Sequence, residues 1–177
     1  MDYINSEEYK KKFKGITGKA KVDNQIYNQA KAQLTHRNGS DKEDMCLIDS
    51  DTGEIMGRQT SSNSDFGVNY NKSLKDAVSN ASPDTLISLH NHPTNNPPTG
   101  DDIVSNAVHN YKFGIVVTHD GRVYKYKAGK VPFSNNIFAS KVDKYRAMPY
   151  NYSESEAIVK TLDEFVKMYG MEWSELV

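Results

Sequence analysis

The chain has 177 residues, and its 22 basic and 23 acidic side chains give a formal net charge of −1. This length allows one domain with extensions, or two very small domains. The near-neutral charge is not typical of nucleic-acid-binding proteins, which present a basic surface to phosphates. No run approaches the roughly 18 apolar residues of a transmembrane helix, so no membrane span is predicted. The single cysteine, Cys46, excludes an internal disulfide framework and a cysteine-rich zinc finger.

The first residues carry charges where a signal peptide has an apolar stretch, so we expect a cytoplasmic protein. Lysines at 10–12 and 14 alternate with Tyr9 and Phe13 within a predicted helix over 7–13. Such a charge run is typical of a solvated helix face. The alternative is a local contact with nucleic acid or an acidic partner.

Hydrophobic spacing and turn residues predict the remaining elements. In chain order they are a helix over 23–35, a hairpin of strands 45–48 and 55–57, a helix over 70–81, a strand over 85–90, a helix over 101–110, strands over 113–118 and 122–126, and helices over 136–147 and 153–169. This alternation predicts an α/β fold with a mixed β-sheet flanked by helices.

The same pattern suggests three segments. We predict an N-terminal helical extension over 1–22, a central domain over 23–130 and a C-terminal helical extension over 131–177. The aromatic content of the last segment predicts a docked cap or a contact with a protein partner.

Two histidines lie at the end of the strand predicted over 85–90. His90 and His92 are two residues apart, and residues at that spacing point to the same face of a strand. Two imidazoles on one face can share a metal ion. The alternative is an ordinary pair of buried or surface histidines.

A hydroxyl and a carboxylate follow at the start of the next helix. Thr99 and Asp102 form a capping box by spacing, and the Asp102 carboxylate could also reach over the strand end as a third ligand. Asp101 is the alternative ligand, one residue earlier. Two histidines and one carboxylate leave a fourth position for water, which is the pattern of a catalytic zinc site.

The run His90-Asn91-His92-Pro93, followed after five residues by Thr99-Gly100-Asp101-Asp102, resembles the JAMM motif of the JAB/MPN metalloprotease family. The resemblance spans roughly residues 23–128 and is greatest to RadC-type and to prokaryotic or phage JAB proteins. The spacer is one residue shorter than the family's usual six, and Thr replaces Ser but keeps the hydroxyl. The family also has an upstream Glu near its first strand, for which Glu43 is favoured here over Glu54.

The resemblance implies a cytidine-deaminase-like fold and a zinc metallopeptidase that hydrolyses a peptide or isopeptide bond. Zn²⁺ would be held by His90, His92 and Asp102, Glu43 would transfer the proton, and the Thr99 hydroxyl would hold the oxyanion. The expected partner is a peptide or protein substrate with a ubiquitin-like or other flexible tail. Neither a membrane nor a nucleic acid is an expected partner.

Besides the local nucleic-acid contact at 10–14, two alternatives remain from the sequence. The chain could be a catalytically degenerate JAB/MPN-like module that binds without turnover, as RadC-like relatives suggest. The second alternative is another metal hydrolase with a His-x-His pair, such as a phosphoesterase. That class requires additional His and Asp ligands, and the three other histidines of this chain are not in a recognisable ligand spacing. The loops over 58–69 and 93–100 are predicted to select the substrate.

Overall fold

The computed structural model describes residues 2–64 and 67–177; the predicted loop over 58–69 therefore includes two residues, 65 and 66, outside the described part. In chain order the elements are a 3-10 turn (Tyr3–Asn5), α1 (Glu7–Lys11), α2 (Ala20–His36), β1 (Met45–Asp49), β2 (Ile55–Gln59), α3 (Lys72–Asn80), β3 (Leu86–His92), α4 (Gly100–Val108), β4 (Phe113–Thr118), β5 (Val123–Lys127), α5 (Asn135–Arg146), α6 (Glu154–Tyr169) and β6 (Glu172–Glu175). The predicted mixed α/β fold is confirmed in this coarse form.

The six strands form one mixed sheet with the order β2-β1-β3-β4-β5-β6. β3 and β4 are parallel, and α4 connects them as a crossover, whereas the other neighbours pair antiparallel. The predicted hairpin is present, since β1 and β2 pair around the turn after Asp49. β3 lies in the middle of the sheet, and all seven of its residues are buried.

Alternation along the strands separates two faces, each covered by helices. The back face, under α1 and α2, receives Cys46 and Ile48 of β1 and Ile87 and Leu89 of β3. The front face, under α3 to α6, receives the side chains of the residues that alternate with these along each strand. Met45, Leu47 and Leu86 pack there against α3, while Val116, Tyr124 and Tyr126 pack against α4, α5 and α6.

The N-terminal segment packs into the core of the back face. Tyr9 and Phe13 are fully buried against Ile26 of α2, and their rings meet edge to face at 5.2 Å. The lysines between and beside them are exposed or half-buried. The interpretation of this run as a solvated face therefore holds for its lysines, while its aromatic residues belong to the core.

The C-terminal helices pack against the start of α4. A Cβ added to Gly100 would lie 2.3 Å from Asn135 Oδ1 and 2.7 Å from Phe138 Cβ of α5, so glycine permits this close approach. Phe138 belongs to an apolar cluster with Phe165 and Leu162 of α6. The helices of 131–177 thus support the N-terminus of α4 from the front face.

One strand was not predicted. β6 pairs with β5 at the edge of the sheet, so the C-terminal segment contributes a strand as well as two helices. The predicted boundaries at 22/23 and 130/131 stay predictions. Within residues 2–64 and 67–177, no helix is both long and apolar enough to cross a membrane.

Candidate metal centre

His90 and His92 lie at the carboxyl end of β3 on the front face. The register of β1 and β3 pairs Met45, a front-face residue, with His90, so the alternation of the strand also turns His92 to that face. Their Nε2 atoms are 3.0 Å apart and both side chains are buried. The prediction that the pair shares a face is confirmed by this geometry.

A backbone carbonyl fixes the orientation of His92. The Asn96 carbonyl oxygen lies 2.9 Å from His92 Nδ1 and can act there as an acceptor, so Nδ1 carries a proton. In the neutral imidazole, Nε2 then has a free lone pair directed toward His90 and the cavity. Metal-binding histidines are oriented in this way, with the other ring nitrogen donating to a carbonyl or carboxylate.

Glu43 reaches the histidines because of strand register. It precedes β1 by two residues, and the antiparallel pairing of Met45 with His90 continues toward Asp44 and Asn91. Glu43 therefore shares the front face with Met45 and is brought opposite His92. The carboxylate and the two imidazoles offer ligand atoms that all lie within 4.8 Å of one another.

The alternative Glu54 lies elsewhere. It is exposed in the turn before β2, next to Ile55, which pairs with Ile48 near the far end of β1. His90 pairs with Met45 at the opposite end of that strand. The structure brings Glu43 to the histidines and leaves Glu54 in the hairpin turn.

Asp102 contacts both histidines from the first turn of α4. Its Oδ1 lies 3.0 Å from His90 Nε2, and its Oδ2 lies 3.4 Å from His92 Nε2. The Thr99 backbone N–H and hydroxyl both donate to Asp102 Oδ2, at 2.6 and 3.0 Å. The capping arrangement thus holds the carboxylate over the strand end, whereas Asp101 is exposed at the rim of the cavity.

Burial and the neighbouring charges shift the pKa values of Glu43, His92 and Asp102. Burial favours the neutral acid of Asp102, but His90 and His92 outweigh it and hold the pKa of Asp102 well below its usual value. Burial opposes the charged form of His92, yet Asp102 and Glu43 raise the pKa of His92 to about 9. Burial is the largest cause that raises the pKa of Glu43. The cluster therefore attracts positive charge strongly.

The four side chains open into a cavity of about 340 Å³. Its further lining comes from the segment before α3, from β1, β3 and β5, and from the loop and helix after β3: Met45, Gly67, Val68, Tyr70, Ser88, Thr94, Thr99, Asp101, Ser105 and Tyr126. The Tyr70 hydroxyl lies 2.6 Å from that of Tyr111 and joins the segment before α3 to the connection between α4 and β4. Sequence reasoning missed Tyr70, Ser105 and Tyr126, since no motif marks them; for Tyr126, strand alternation in β5 was the available signal.

The other three histidines have separate partners. His36 ends α2 and contacts Asp44, and His109 stacks on Tyr70 with ring centroids 4.9 Å apart. His119, in the turn after β4, is half-buried, with Nε2 lying 3.4 Å from the Asn91 amide nitrogen. Burial lowers the pKa of His109 and of His119.

Cys46 lies in the back-face core and is fully buried. Burial raises the pKa of its thiol to about 12, so the nucleophilic thiolate is not formed at neutral pH.

Comparison of the chain with protein-family models, with curated proteins and with solved structures found no match. The case for a function therefore depends on the geometry of this site. The half-buried Glu43 carboxylate and two oriented imidazoles can hold a metal ion, with a second carboxylate, that of Asp102, in contact with both rings.

Proposed function

We propose that this chain is a zinc-dependent metallopeptidase of the JAMM type that hydrolyses a peptide or isopeptide bond. The observation that carries the proposal is the convergence of Glu43, His90, His92 and Asp102 at one cavity. Three of these side chains, those of His90, His92 and Asp102, give a nitrogen and carboxylate donor set that suits Zn²⁺ and leaves one of its four positions for a substrate or water.

His90, His92 and Asp102 bind the ion in this proposal. A bound zinc ion acts as a Lewis acid that makes water a stronger nucleophile at neutral pH. Because Asp102 is already aligned by Thr99, its carboxylate loses little conformational freedom when it binds.

Glu43 acts as the proton carrier. It accepts a proton from the attacking water as the new C–O bond forms on the scissile carbonyl carbon. It then returns that proton to the amide nitrogen as the C–N bond breaks, so the products are a carboxylic acid and an amine, which ionise to a carboxylate and an ammonium group at neutral pH. Burial, which raises the pKa of Glu43, makes its carboxylate a better proton acceptor than an exposed one.

Thr99 supplies a hydroxyl at the edge of the same cavity. In the proposal, this hydroxyl turns its single proton from Asp102 Oδ2 to the oxyanion that forms on the scissile carbonyl oxygen, while the Thr99 backbone N–H keeps its hydrogen bond to Asp102. Removal of one donor of this kind typically lowers the reaction rate by a factor of about 10²–10³.

One observation favours the second candidate, a degenerate binding module. Thr99 and Asp102 already satisfy each other as a helix cap, an arrangement that needs no metal ion. In that case the cavity would bind a protein segment without turnover.

The test uses the zinc-loaded chain with a panel of peptides and isopeptide-linked peptides. We expect Glu43→Gln to lose about 10²–10⁴-fold in hydrolysis rate while it retains zinc. The matched control, Glu54→Gln, changes an exposed carboxylate and should retain both. A wild-type chain that binds zinc but cleaves no member of the panel would support the binding module instead.

A further inference from the structure

The amide of Asn91, the residue between the two site histidines, is fully buried. Asparagine is disfavoured within strands, and a buried amide requires hydrogen-bond partners. Its Oδ1 accepts from the Asp44 backbone N–H at 2.8 Å, and its Nδ2 donates to the Lys42 carbonyl oxygen at 3.3 Å. One side chain therefore contacts the residues immediately before and after Glu43.

These contacts lie on the side of the sheet opposite the cavity. The strand alternation that turns His90 and His92 to the front face turns Asn91 to the back face, as it does Leu89. The Asn91 backbone N–H also donates to the Asp44 carbonyl at 3.4 Å. The amide thus ties the backbone around Glu43 from behind, while the Glu43 carboxylate lies beside the histidines in front.

A second group holds the same segment. The Asp44 carboxylate, with 2% of its side chain exposed, accepts from Arg37 Nε at 2.5 Å, and the Arg37 Nη2 group continues to the Thr60 and Ser62 carbonyls. Asp44 is thereby anchored to the end of α2. Asn91 supplies the corresponding attachment to β3, the strand that carries both histidines.

We propose that Asn91 is a positioning residue, which fixes the backbone on both sides of Glu43 and so sets the place of its carboxylate relative to His90 and His92. The inference rests on the proposed function for the role of Glu43 as proton carrier. The attachment itself does not depend on that role. Since the Asn91 amide and the two imidazoles belong to one strand, the proton carrier and the metal ligands keep their spacing when the sheet flexes.

The attachment is tested by amide hydrogen exchange in the metal-free chain, measured by NMR at the Asp44 N–H. In Asn91→Ala this group loses its side-chain acceptor, and we expect exchange at least about tenfold faster than in wild type. Asn91→Asp keeps an oxygen for the Asp44 N–H but loses the donor to Lys42. It should show a smaller acceleration, and it replaces the Ala variant if that variant does not fold.

The matched control is Asn106→Asp. Asn106 is equally buried, and its Oδ1 accepts from the Ala128 N–H, so the change alters a buried amide away from Glu43. Exchange at the Asp44 N–H should not change in this variant.

The functional test compares turnover in the zinc-loaded chain. Loss of a residue that supports a metal site typically costs about 10–100-fold in affinity or activity, and we expect a fall of that size in kcat for Asn91→Ala. In a Glu43→Gln background the same change should cause no further loss, because Asn91 acts through Glu43.

Three outcomes would overturn the proposal, and each differs from a failure of the proposed function. An unchanged exchange rate of the Asp44 N–H in a folded Asn91→Ala chain would show that the Asn91 side chain does not hold this segment. Faster exchange together with a wild-type kcat would show that the attachment does not position Glu43 for catalysis. If wild type hydrolyses nothing, a crystal structure of Asn91→Ala decides: a Glu43 carboxylate displaced by about 1 Å from the histidines supports the proposal, and an unmoved one contradicts it.

Discussion

Asp44 and Asp102 are both carboxylates in contact with histidine, yet their surroundings differ in one respect. Asp44 has a permanent cation, since Arg37 Nε lies 2.5 Å from Oδ1 while His36 Nδ1 lies 2.6 Å from Oδ2. Among the described residues, the ion-pair partners of Asp102 are His90 and His92. Unlike arginine, these side chains carry a positive charge only when they are protonated.

This difference separates a structural pair from a binding site. A buried carboxylate is costly unless a positive charge compensates it, and Arg37 meets that need for Asp44 at all accessible pH values. Asp102 lies at the front-face cavity without such a permanent cation, and there a proton on His92 or a bound cation can supply the charge. Similar residue types therefore give a charge-compensated ion pair on the back face and an acceptor site for a cation on the front face.

The largest effect should follow from removing the Asp102 charge. Asp102→Asn keeps an oxygen for the Thr99 cap but loses the carboxylate, so zinc affinity should fall by more than the roughly 10–100-fold typical of an outer-shell change. Isothermal titration with zinc measures this. Asp101→Asn, at the exposed neighbour, is the matched control and should bind zinc as wild type does. Equal losses in the two variants would contradict the assignment of Asp102.

Breaking the Asp44 pair should lower stability instead. Arg37→Ala leaves a buried carboxylate without its cation, which typically costs about 3–5 kcal/mol of unfolding free energy. Lys19→Ala breaks the exposed pair with Asp51 and should cost no more than about 1 kcal/mol. Urea denaturation of the metal-free chains gives both values. Similar costs for the two variants would show that the buried pair has no structural role.

A third effect concerns the Thr99 hydroxyl. Thr99→Val removes a donor to Asp102 and, in the proposed mechanism, to the oxyanion, so the hydrolysis rate should fall by about 10²–10³. Thr99→Ser keeps the hydroxyl and should stay near wild type. Steady-state rates at saturating zinc measure the difference. If Thr99→Val is as active as Thr99→Ser, the Thr99 hydroxyl does not stabilise the oxyanion.

Local sequence patterns predicted most of the fold, because its central strands are apolar runs. β4 was predicted over the same residues, 113–118, that the structure assigns. β6 was missed because Glu172 and Glu175 bound a four-residue segment with one large apolar side chain, Trp173. Such an edge strand is defined by pairing with β5 rather than by its own composition.

The candidate site was less completely predictable. The spacing of His90 and His92 places them on one face of any strand, so that part followed from strand geometry. The choice of Glu43 depends on the register between β1 and β3, which is a long-range property that the local sequence does not contain. The back-face contacts of Asn91 were missed for the same reason, although an asparagine within a buried strand was a usable signal.

The most direct test of the account is the zinc content of the purified chain, measured by mass spectrometry after incubation with zinc and dialysis. We expect about one zinc ion per chain in wild type and none in His92→Ala. His36→Ala, which changes the histidine of the Asp44 pair, should retain the ion. A wild-type chain without zinc, or a His92→Ala chain that binds as much as wild type, would contradict the metal centre.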